Sequence, residues 1–254
     1  MKKRTKYLLE ICCYSPNDVL FAENGGAQRV ELCNGYEVGG TTPSIGSLMM
    51  SKSFSKIPVY VMIRPRGGNF TYSLLEKKVM LKDIEMAITN KADGIVFGAL
   101  NADGTIDHEF CKEVMLACNG IPTTFHRAID LCEKPLDGID FLAGIGVQNI
   151  LTSGGQIKAE QGIEQINIMH KHANNSIQIM AGSGVNAENI LSFAKLGLTH
   201  FHSSASTIQI QNHYSDKISF NAALKNNELS VVQQSKVEAM IQQLNAFFCA
   251  NEIQ

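Results

Sequence analysis

The stretch LLEICCYSPNDVLFAENGGAQRVELC, residues 8–33, contains one complete strand–helix–strand unit. A short apolar run opens it and a second one closes it, as is typical of buried strands. Between them, Ser15 suits the N-cap position and Pro16 the first helical position, while the Gly25-Gly26 pair ends the helix. The stretch therefore predicts a β-then-α unit followed by the strand of the next unit.

The same unit recurs along the chain, with apolar runs spaced 21 to 36 residues apart. Each interval has room for one crossover helix, and Ser73 with Glu76 repeats the helix-start signal as a capping box. Eight such units fit a TIM (β/α)₈ barrel, whereas a doubly wound sheet usually stops at about five or six strands. We therefore predict a single-domain α/β barrel over residues 1–206. The runs begin near Leu8, Arg29, Pro58, Gly94, Pro122, Gln148, Ile177 and Leu198.

Residues 207–254 are expected to form a C-terminal helical extension. The segment Thr207 to Asn227 shows no periodicity and is predicted to be a loop. Ser235 is then predicted to cap a helix whose apolar stripe packs on the barrel or on a second subunit, so that a homo-oligomer (dimer or tetramer) is expected. The stripe consists of Val237, Met240, Ile241, Leu244, Phe247 and Phe248.

Composition narrows the classes of function. Of the 254 residues, 44% are hydrophobic and 18% charged, which is ordinary for a globular chain and excludes a disordered protein. A net charge of −2 gives no field for a polyanion, so we expect neither a nucleic acid nor a membrane partner. The basic start of the chain lacks a signal-peptide core because Glu10 interrupts it, and the seven cysteines show no Cys-x-x-Cys spacing. These features predict a cytoplasmic protein with reduced thiols.

Active sites of TIM barrels lie at the carboxyl ends of the strands, and here those ends are polar. Side chains alternate along a strand, so if Glu10 faces into the barrel, Cys12 does too, and Glu31 likewise implies Cys33. Buried carboxylates need partners, and Arg64 at the end of the third strand is the nearest suitable cation. We predict an ion network of Glu10, Glu31 and Arg64, which is either a structural clamp or part of a catalytic or substrate-binding site.

His126 is the best candidate for a general acid or base, because histidine alone titrates near neutral pH without perturbation. Asp130 lies close enough in sequence to orient its imidazole, and Arg127 lies beside it. In the alternative interpretation, Asp130 only caps a turn and His126 is an interior histidine. His200 and His202 share one face of the last strand, but no carboxylate or lysine at a suitable spacing completes a hard metal centre.

Glycine and serine residues follow the last two barrel strands. Barrels frequently hold phosphate between these two loops, because close-lying backbone amides attract an anion. The alternative is a pair of tight turns that need glycine for a positive φ. The predicted anion- or substrate-binding set comprises Arg64, Arg66, Arg127, Thr152, Ser153, Gly154, Gly182, Ser183, Gly184, His202, Ser203 and Ser204.

Nine motifs occur in order along the chain: LEICC with Ser15, RVELC, GGTTPS at 39–44, IRPRGG with Tyr72-Ser73, DGIVFGALNADGTID at 93–107, TFHRAID, LTSGG, MAGSGV and HSSA. Together they strongly resemble the CutC family, the copper homeostasis proteins of bacteria and animals. The resemblance implies a cytoplasmic TIM barrel, often self-associating, with a copper(I) role for Cys12 and Cys33. It assigns no reaction.

Three classes of function remain open at this point. In the first, Cys12 and Cys33 bind or traffic Cu(I) as soft thiolates in a linear site, with Arg64 lowering the thiol pKa values. In the second, the barrel is an enzyme for a small phosphorylated or anionic metabolite, with His126 in acid–base chemistry. The third is a scaffold, which the many polar strand ends argue against because buried charges without a ligand are costly. The thiols could also be buried hydrophobes that only fill space.

Overall fold

A computed structural model describes residues 6–211 and 228–250, and it shows a closed barrel of eight parallel strands. The first strand pairs with the second on one side and with the eighth on the other, which closes the ring. Each strand starts within two residues of its predicted position, so the barrel prediction is confirmed. The strands are β1 (Leu8–Cys13), β2 (Arg29–Leu32), β3 (Val59–Met62), β4 (Gly94–Phe97), β5 (Thr123–Phe125), β6 (Asn149–Thr152), β7 (Gln178–Ala181) and β8 (His200–Ser203).

Helices follow the strands in the expected alternation. The Ser15 side chain accepts from the backbone N–H of Asp18, and Ser73 with Glu76 forms a complete capping box, as the sequence predicts. The seventh helix starts at Ile190, after a turn in which the side chains of Asn186 and Asn189 accept backbone N–H groups. The helices are α1 (Pro16–Asn24), α2 (Ile45–Phe54), α3 (Leu74–Thr89), α4 (His108–Cys118), α5 (Pro135–Gly144), α6 (Ile163–Ala173), α7 (Ile190–Ala194) and α8 (Gln234–Ala250).

Strand parity divides the core into two layers. Leu9, Ile11 and Cys13 of β1 are fully buried in the layer between the strands and the helices. Glu10 and Cys12 lie on the opposite face of β1, inside the barrel, as the alternation predicts. The inner apolar cluster at the carboxyl end of the barrel consists of Cys12, Cys33, Tyr60, Met62 and Val96.

The segment after β8 departs from the prediction. Residues of the predicted loop form β9 (Ser206–Ile210), which pairs antiparallel with β10 (Glu228–Val232). Strand β9 alternates polar and apolar residues on an exposed surface, and its partner lies too far along the chain for a local turn signal. Residues 212–227 of the predicted loop lie outside the described residues.

Helix α8 starts at Gln234, one residue before its predicted cap. It packs on α1 and α7 of its own chain, with Val237 buried against Gly25, where a Cβ would lie 2.6 Å from the valine Cβ. The boundary predicted after residue 206 stays a prediction. None of the helices in residues 6–211 and 228–250 is long and apolar enough to cross a membrane.

Candidate functional site

Two thiols meet at the carboxyl ends of β1 and β2. The Cys12 and Cys33 sulfurs are 3.9 Å apart, and both side chains are buried, at 8% and 2% exposure. Parallel pairing explains their position: Cys12 lies opposite Glu31 in the register, and Cys33 follows two residues later on the same face. Gly40 packs against the pair: a Cβ there would lie 3.4 Å from the Cys33 sulfur, in ordinary van der Waals contact, and its φ of +94° is what favours glycine. Parity alone therefore placed this pair correctly.

A carboxylate joins the thiols. One ligand atom from each of Cys12, Cys33 and Glu31 lies within 4.8 Å of the other two. The second carboxylate oxygen of Glu31, Oε2, lies 3.3 Å from His202 Nε2, and Oε1 has no hydrogen-bond partner among the described residues. Strand parity places Glu31 on the same inward face as the two cysteines, but the sequence predicts an ion network for it and not this donor cluster.

The pKa values of all three groups of the cluster are raised. Burial and the charge of Glu10 raise the pKa of Glu31 to about 8. Burial raises the pKa of Cys33 well above its usual value. The contact with Cys33 acts to lower the pKa of Cys12, but burial and the nearby Glu31 outweigh it and leave that pKa raised. Our expectation that Arg64 lowers the thiol pKa values is therefore wrong, because desolvation dominates.

The predicted network of Glu10, Glu31 and Arg64 is also wrong. Glu10 pairs instead with Arg29, whose Nε lies 2.5 Å from Oε2, and the Arg29 guanidinium lies 4.2 Å from the centre of the Tyr60 ring. The register pairs Glu10 directly with Arg29 on the neighbouring strand, so Arg29 is the cation closest to the Glu10 carboxylate. Parity could have found Arg29, since it lies two residues before Glu31 on the inward face.

Arg64 holds loops together. Its Nη1 donates to the carbonyl oxygens of Val38 and Gly40, both at 2.8 Å, and its Nη2 donates to the Gly68 carbonyl at 2.7 Å. Its guanidinium also lies 4.9 Å from the centre of the Phe70 ring. The side chain therefore fastens the loops after β2 and β3, and its Nε has no partner among the described residues.

Asp130 does not orient His126. The short 3₁₀ helix Arg127–Leu131 turns Asp130 towards β6, where its carboxylate pairs with Arg127 at 2.8 Å and accepts from the backbone N–H of Ser153. It also accepts from the Thr152 hydroxyl at 2.5 Å. The expected Asp130–His126 contact is therefore wrong. The aspartate fastens the turn after β5 to the loop after β6.

His126 is buried and fixed from three sides. Its Nδ1 accepts from the backbone N–H of Ala128 at 3.1 Å, its ring lies 4.7 Å from the Phe70 ring, and a Cβ at Gly98 would lie 2.5 Å from it. Burial, followed by the charge of Arg64, lowers the pKa of His126 to about 3. The imidazole is consequently neutral at physiological pH, and so low a pKa makes it a weak proton acceptor, which disfavours it as a general base.

The loops after β6, β7 and β8 are shaped by backbone contacts. A Cβ at Gly154 would lie 2.3 Å from the carbonyl oxygen of Gly162, so only glycine fits there. The Ser183 hydroxyl donates to the Ile157 carbonyl at 2.7 Å, and the Ser203 hydroxyl donates to the Val185 carbonyl at 2.6 Å. These contacts agree with the tight-turn interpretation, and the anion site between the loops stays a prediction.

A cavity of about 300 Å³ opens at the carboxyl end of the barrel, above the thiol pair. It gathers the predicted residues Cys12, Glu31, Arg64, His126, Arg127, Ser183, Gly184, His202, Ser203 and Ser204. It does not gather Glu10, Cys33, Arg66, Asp130, Thr152, Ser153, Gly154 or Gly182. Sequence reasoning missed five further residues of its wall: Tyr14, Gly39, Met62, Phe70 and Leu151.

Arg66, predicted to clamp an anion, lies outside this cavity. Its Nε pairs with Glu76 at 2.5 Å, and its other nitrogens donate to loop carbonyls. A second cavity of about 460 Å³ lies between the loops after β7 and β8 and helix α8, where Ser203, Ser204 and Lys236 contribute to its wall.

Comparison with known proteins identifies close relatives. The model of the CutC family matches residues 7–207. A CutC family protein of Bacteroides fragilis is 46% identical over 201 residues, covering 78% of this chain and 80% of the relative. The copper homeostasis protein cutC homolog of Homo sapiens is 44% identical over 200 residues, covering 78% and 73%.

Solved structures agree with these relatives. A structure described as a copper homeostasis protein CutC from Streptococcus agalactiae superposes with a TM-score of 0.75 at 35% identity, covering 78% of this chain and 98% of that one. An aldolase matches with a TM-score of 0.59 at 18% identity, covering 80% and 92%. The aldolase likeness shows the barrel fold alone.

Proposed function

This chain belongs to the CutC family, and from that premise we propose that it is a copper homeostasis protein that binds cytoplasmic Cu(I) through Cys12 and Cys33. The observation that carries the proposal is the pair of inward-facing thiols, 3.9 Å apart on neighbouring strands. Soft thiolates select Cu(I) over the hard cations that carboxylates and carbonyls prefer. The ions that would compete with Cu(I) for this site are therefore other thiophilic metal ions.

The separation of the sulfurs supports a bent arrangement of the two donors. With a metal–sulfur distance of about 2.3 Å, the length found for zinc thiolates, sulfurs at the observed spacing subtend about 115° at a shared ion. A linear two-sulfur site, which we expected from the sequence, would need a wider pair. A bent pair leaves a position for a third donor, and the Glu31 carboxylate lies in the same cluster.

Access to the thiols supports the same proposal. Cys12 lines the cavity at the barrel mouth, which provides an entry path for an ion. The Glu31 carboxyl is buried and interacts with both thiols, and burying an acid beside two thiols is costly unless a cation binds there. Glu31 therefore argues against the purely structural interpretation.

The test is anaerobic competition for Cu(I) against a chromogenic chelator. Cys12→Ala/Cys33→Ala should bind Cu(I) about 100-fold or more weakly, since even outer-shell changes around a metal cost roughly 10–100-fold. The matched control is Cys13→Ala/Cys111→Ala, which removes two buried thiols from the outer layer. Equal Cu(I) affinity in the parent and both variants would exclude the site.

We also propose a cytoplasmic location and a homo-oligomer. All seven cysteines are free thiols, which supports a reducing compartment. The neighbouring helices α2 and α3 expose Met49, Met50, Leu74 and Leu75, which supports a self-association surface. Light scattering on the parent and on Leu74→Glu/Leu75→Glu tests this: the variant should shift to a smaller mass, and identical masses would contradict the surface.

A further inference from the structure

The cavity at the barrel mouth is lined by polar side chains that the proposed copper site does not use. Cys12 and Glu31 line one part of its wall, and Arg64, His126 and Phe70 contribute to the rest. At about 300 Å³ it is at the lower end of the range for ligand pockets, so it suits a molecule of a few heavy atoms. Neither Arg64 nor His126 belongs to the cysteine–carboxylate cluster.

His126 presents a hydrogen-bond donor without an acceptor. Because Nδ1 accepts from the Ala128 N–H, the neutral ring carries its proton on Nε2. That Nε2 is buried and has no partner among residues 6–211 and 228–250. Gly98 and Phe70 pack on the ring and hold it at the wall of the cavity. A buried donor in this state is stabilised by a ligand oxygen.

Arg64 presents a buried positive charge without a carboxylate. The other arginines that contact the barrel interior or its mouth pair with acids, Arg29 with Glu10 and Arg127 with Asp130. Within the described part of the chain no acid pairs with Arg64: its guanidinium donates to three loop carbonyl oxygens and interacts with the Tyr72 hydroxyl, and its Nε has no partner. A buried charge without a counter-ion is costly, and an anion bound in the same cavity offsets that cost.

We propose that this cavity binds a small organic monocarboxylate, with Arg64 as the counter-ion and His126 Nε2–H as a neutral donor to one of its oxygens. Arg127 also lines the cavity, but it pairs with Asp130, so Arg64 is the cavity cation without an acidic partner among the described residues. One such cation and one neutral N–H donor match a monoanion better than a phosphate dianion. Planar guanidinium edges also match the two oxygens of a carboxylate. The site is separate from the proposed copper site, although both open to the same cavity.

The test uses pyruvate, glycolate and acetate as probes, with acetamide and inorganic phosphate for comparison. In protein labelled with ¹⁵N-histidine, the Nε2–H resonance of His126 should shift with saturation on titration of at least one carboxylate at neutral pH. Acetamide and phosphate should give no saturable shift. This measurement uses the unaltered chain, so it does not depend on a variant folding. No saturable shift with any carboxylate, or an equal shift with acetamide or phosphate, would overturn the proposal.

Variants then assign the roles, with folding checked by circular dichroism. His126→Leu should weaken binding of the same carboxylate by about fivefold, and His126→Gln, which keeps an N–H donor, should restore most of it. Arg64→Met should weaken it by about tenfold or more, because its hydrogen bonds are charge-assisted.

Cys12→Ala/Cys33→Ala separates this proposal from the copper proposal. The variant should bind the carboxylate as the parent does while losing Cu(I). Loss of carboxylate binding in this variant would show that the thiols hold the ligand, which contradicts the assigned roles. Normal Cu(I) affinity with no carboxylate binding in the parent would refute the further inference and leave the copper site intact.

Discussion

Replacing Arg29 with methionine tests the Arg29–Glu10 ion pair, which is present instead of the predicted network of Glu10, Glu31 and Arg64. Arg29 and Glu10 are 4% and 0% exposed, and the Arg29 Nε lies 2.5 Å from a Glu10 oxygen. The Arg29 guanidinium also covers the Tyr60 ring at 4.2 Å. Arg29→Met keeps most of the apolar stem but leaves the carboxylate buried without a cation.

The expected loss of stability is large. Breaking a buried pair by removing one partner typically costs about 3–5 kcal/mol, because the remaining charge is uncompensated. Loss of the contact with the Tyr60 ring adds about 0.5–2 kcal/mol. Together these favour a loss of at least about 4 kcal/mol in the free energy of unfolding. For a chain of this size, that corresponds to a fall of about 10 °C in Tm.

Urea unfolding followed by circular dichroism measures this change. Glu10→Leu/Arg29→Met removes both charges and should recover most of the loss, since apolar replacements of a buried pair are often neutral. Arg66→Met serves as the matched control, because Arg66 is 39% exposed in its pair, and its stability should stay close to that of the parent. The reasoning fails if Arg29→Met costs no more than Arg66→Met, or if the double variant is less stable than the single one.

Three further predictions concern histidine and glycine positions. The pKa of His126 is about 3 in the folded protein against 6.5 ordinarily, so only the unfolded chain binds a proton there as the pH falls from about 6.5 towards 3, and stability falls with it. Between pH 7 and pH 5, the free energy of unfolding measured with urea should fall by about 2 kcal/mol more in the parent than in His126→Gln. Equal falls in the two proteins would contradict this. Gly154→Ala should lower the melting temperature far more than Gly146→Ala. Both glycines have a positive φ, but only at Gly154 would an added Cβ meet a backbone carbonyl, the carbonyl of Gly162. Equal melting temperatures of the two variants would contradict the clash. Gly98→Ala should cost about 1–3 kcal/mol and displace the imidazole, seen as a shifted ring resonance, and an unchanged ¹⁵N-histidine spectrum would refute the contact.

The fold was predictable because its signals are local. The cap at Ser15 and the box from Ser73 to Glu76 involve residues three apart, and both form as predicted. The segment from Ser206 to Ile210 was missed because its strand pairing is with Glu228–Val232, about twenty residues away. Pairing across such a distance is decided by packing on the barrel and leaves little trace in the local pattern.

The candidate site was predictable to the extent that strand parity determines it. Cys12 and Cys33 share the inward face with Glu31 because side chains alternate, and the structure brings all three together. Their surroundings were not predictable in the same way. The loop glycine Gly40 touches the Cys33 sulfur, and Phe70 packs on the histidine ring, although neither residue belongs to a strand.

The sequence by itself determined the number and order of the strands, the inward direction of the thiols and membership of the CutC family, because periodicity, capping and motif order are properties of neighbouring residues. Only the tertiary structure decided which charges pair. Glu10 pairs with Arg29 because the register of β1 and β2 sets them side by side. Arg64 instead donates to loop carbonyls, and Asp130 accepts from the loop after β6. An ion pair depends on distances of a few ångströms between residues far apart in the chain, and those distances exist only once the barrel has closed.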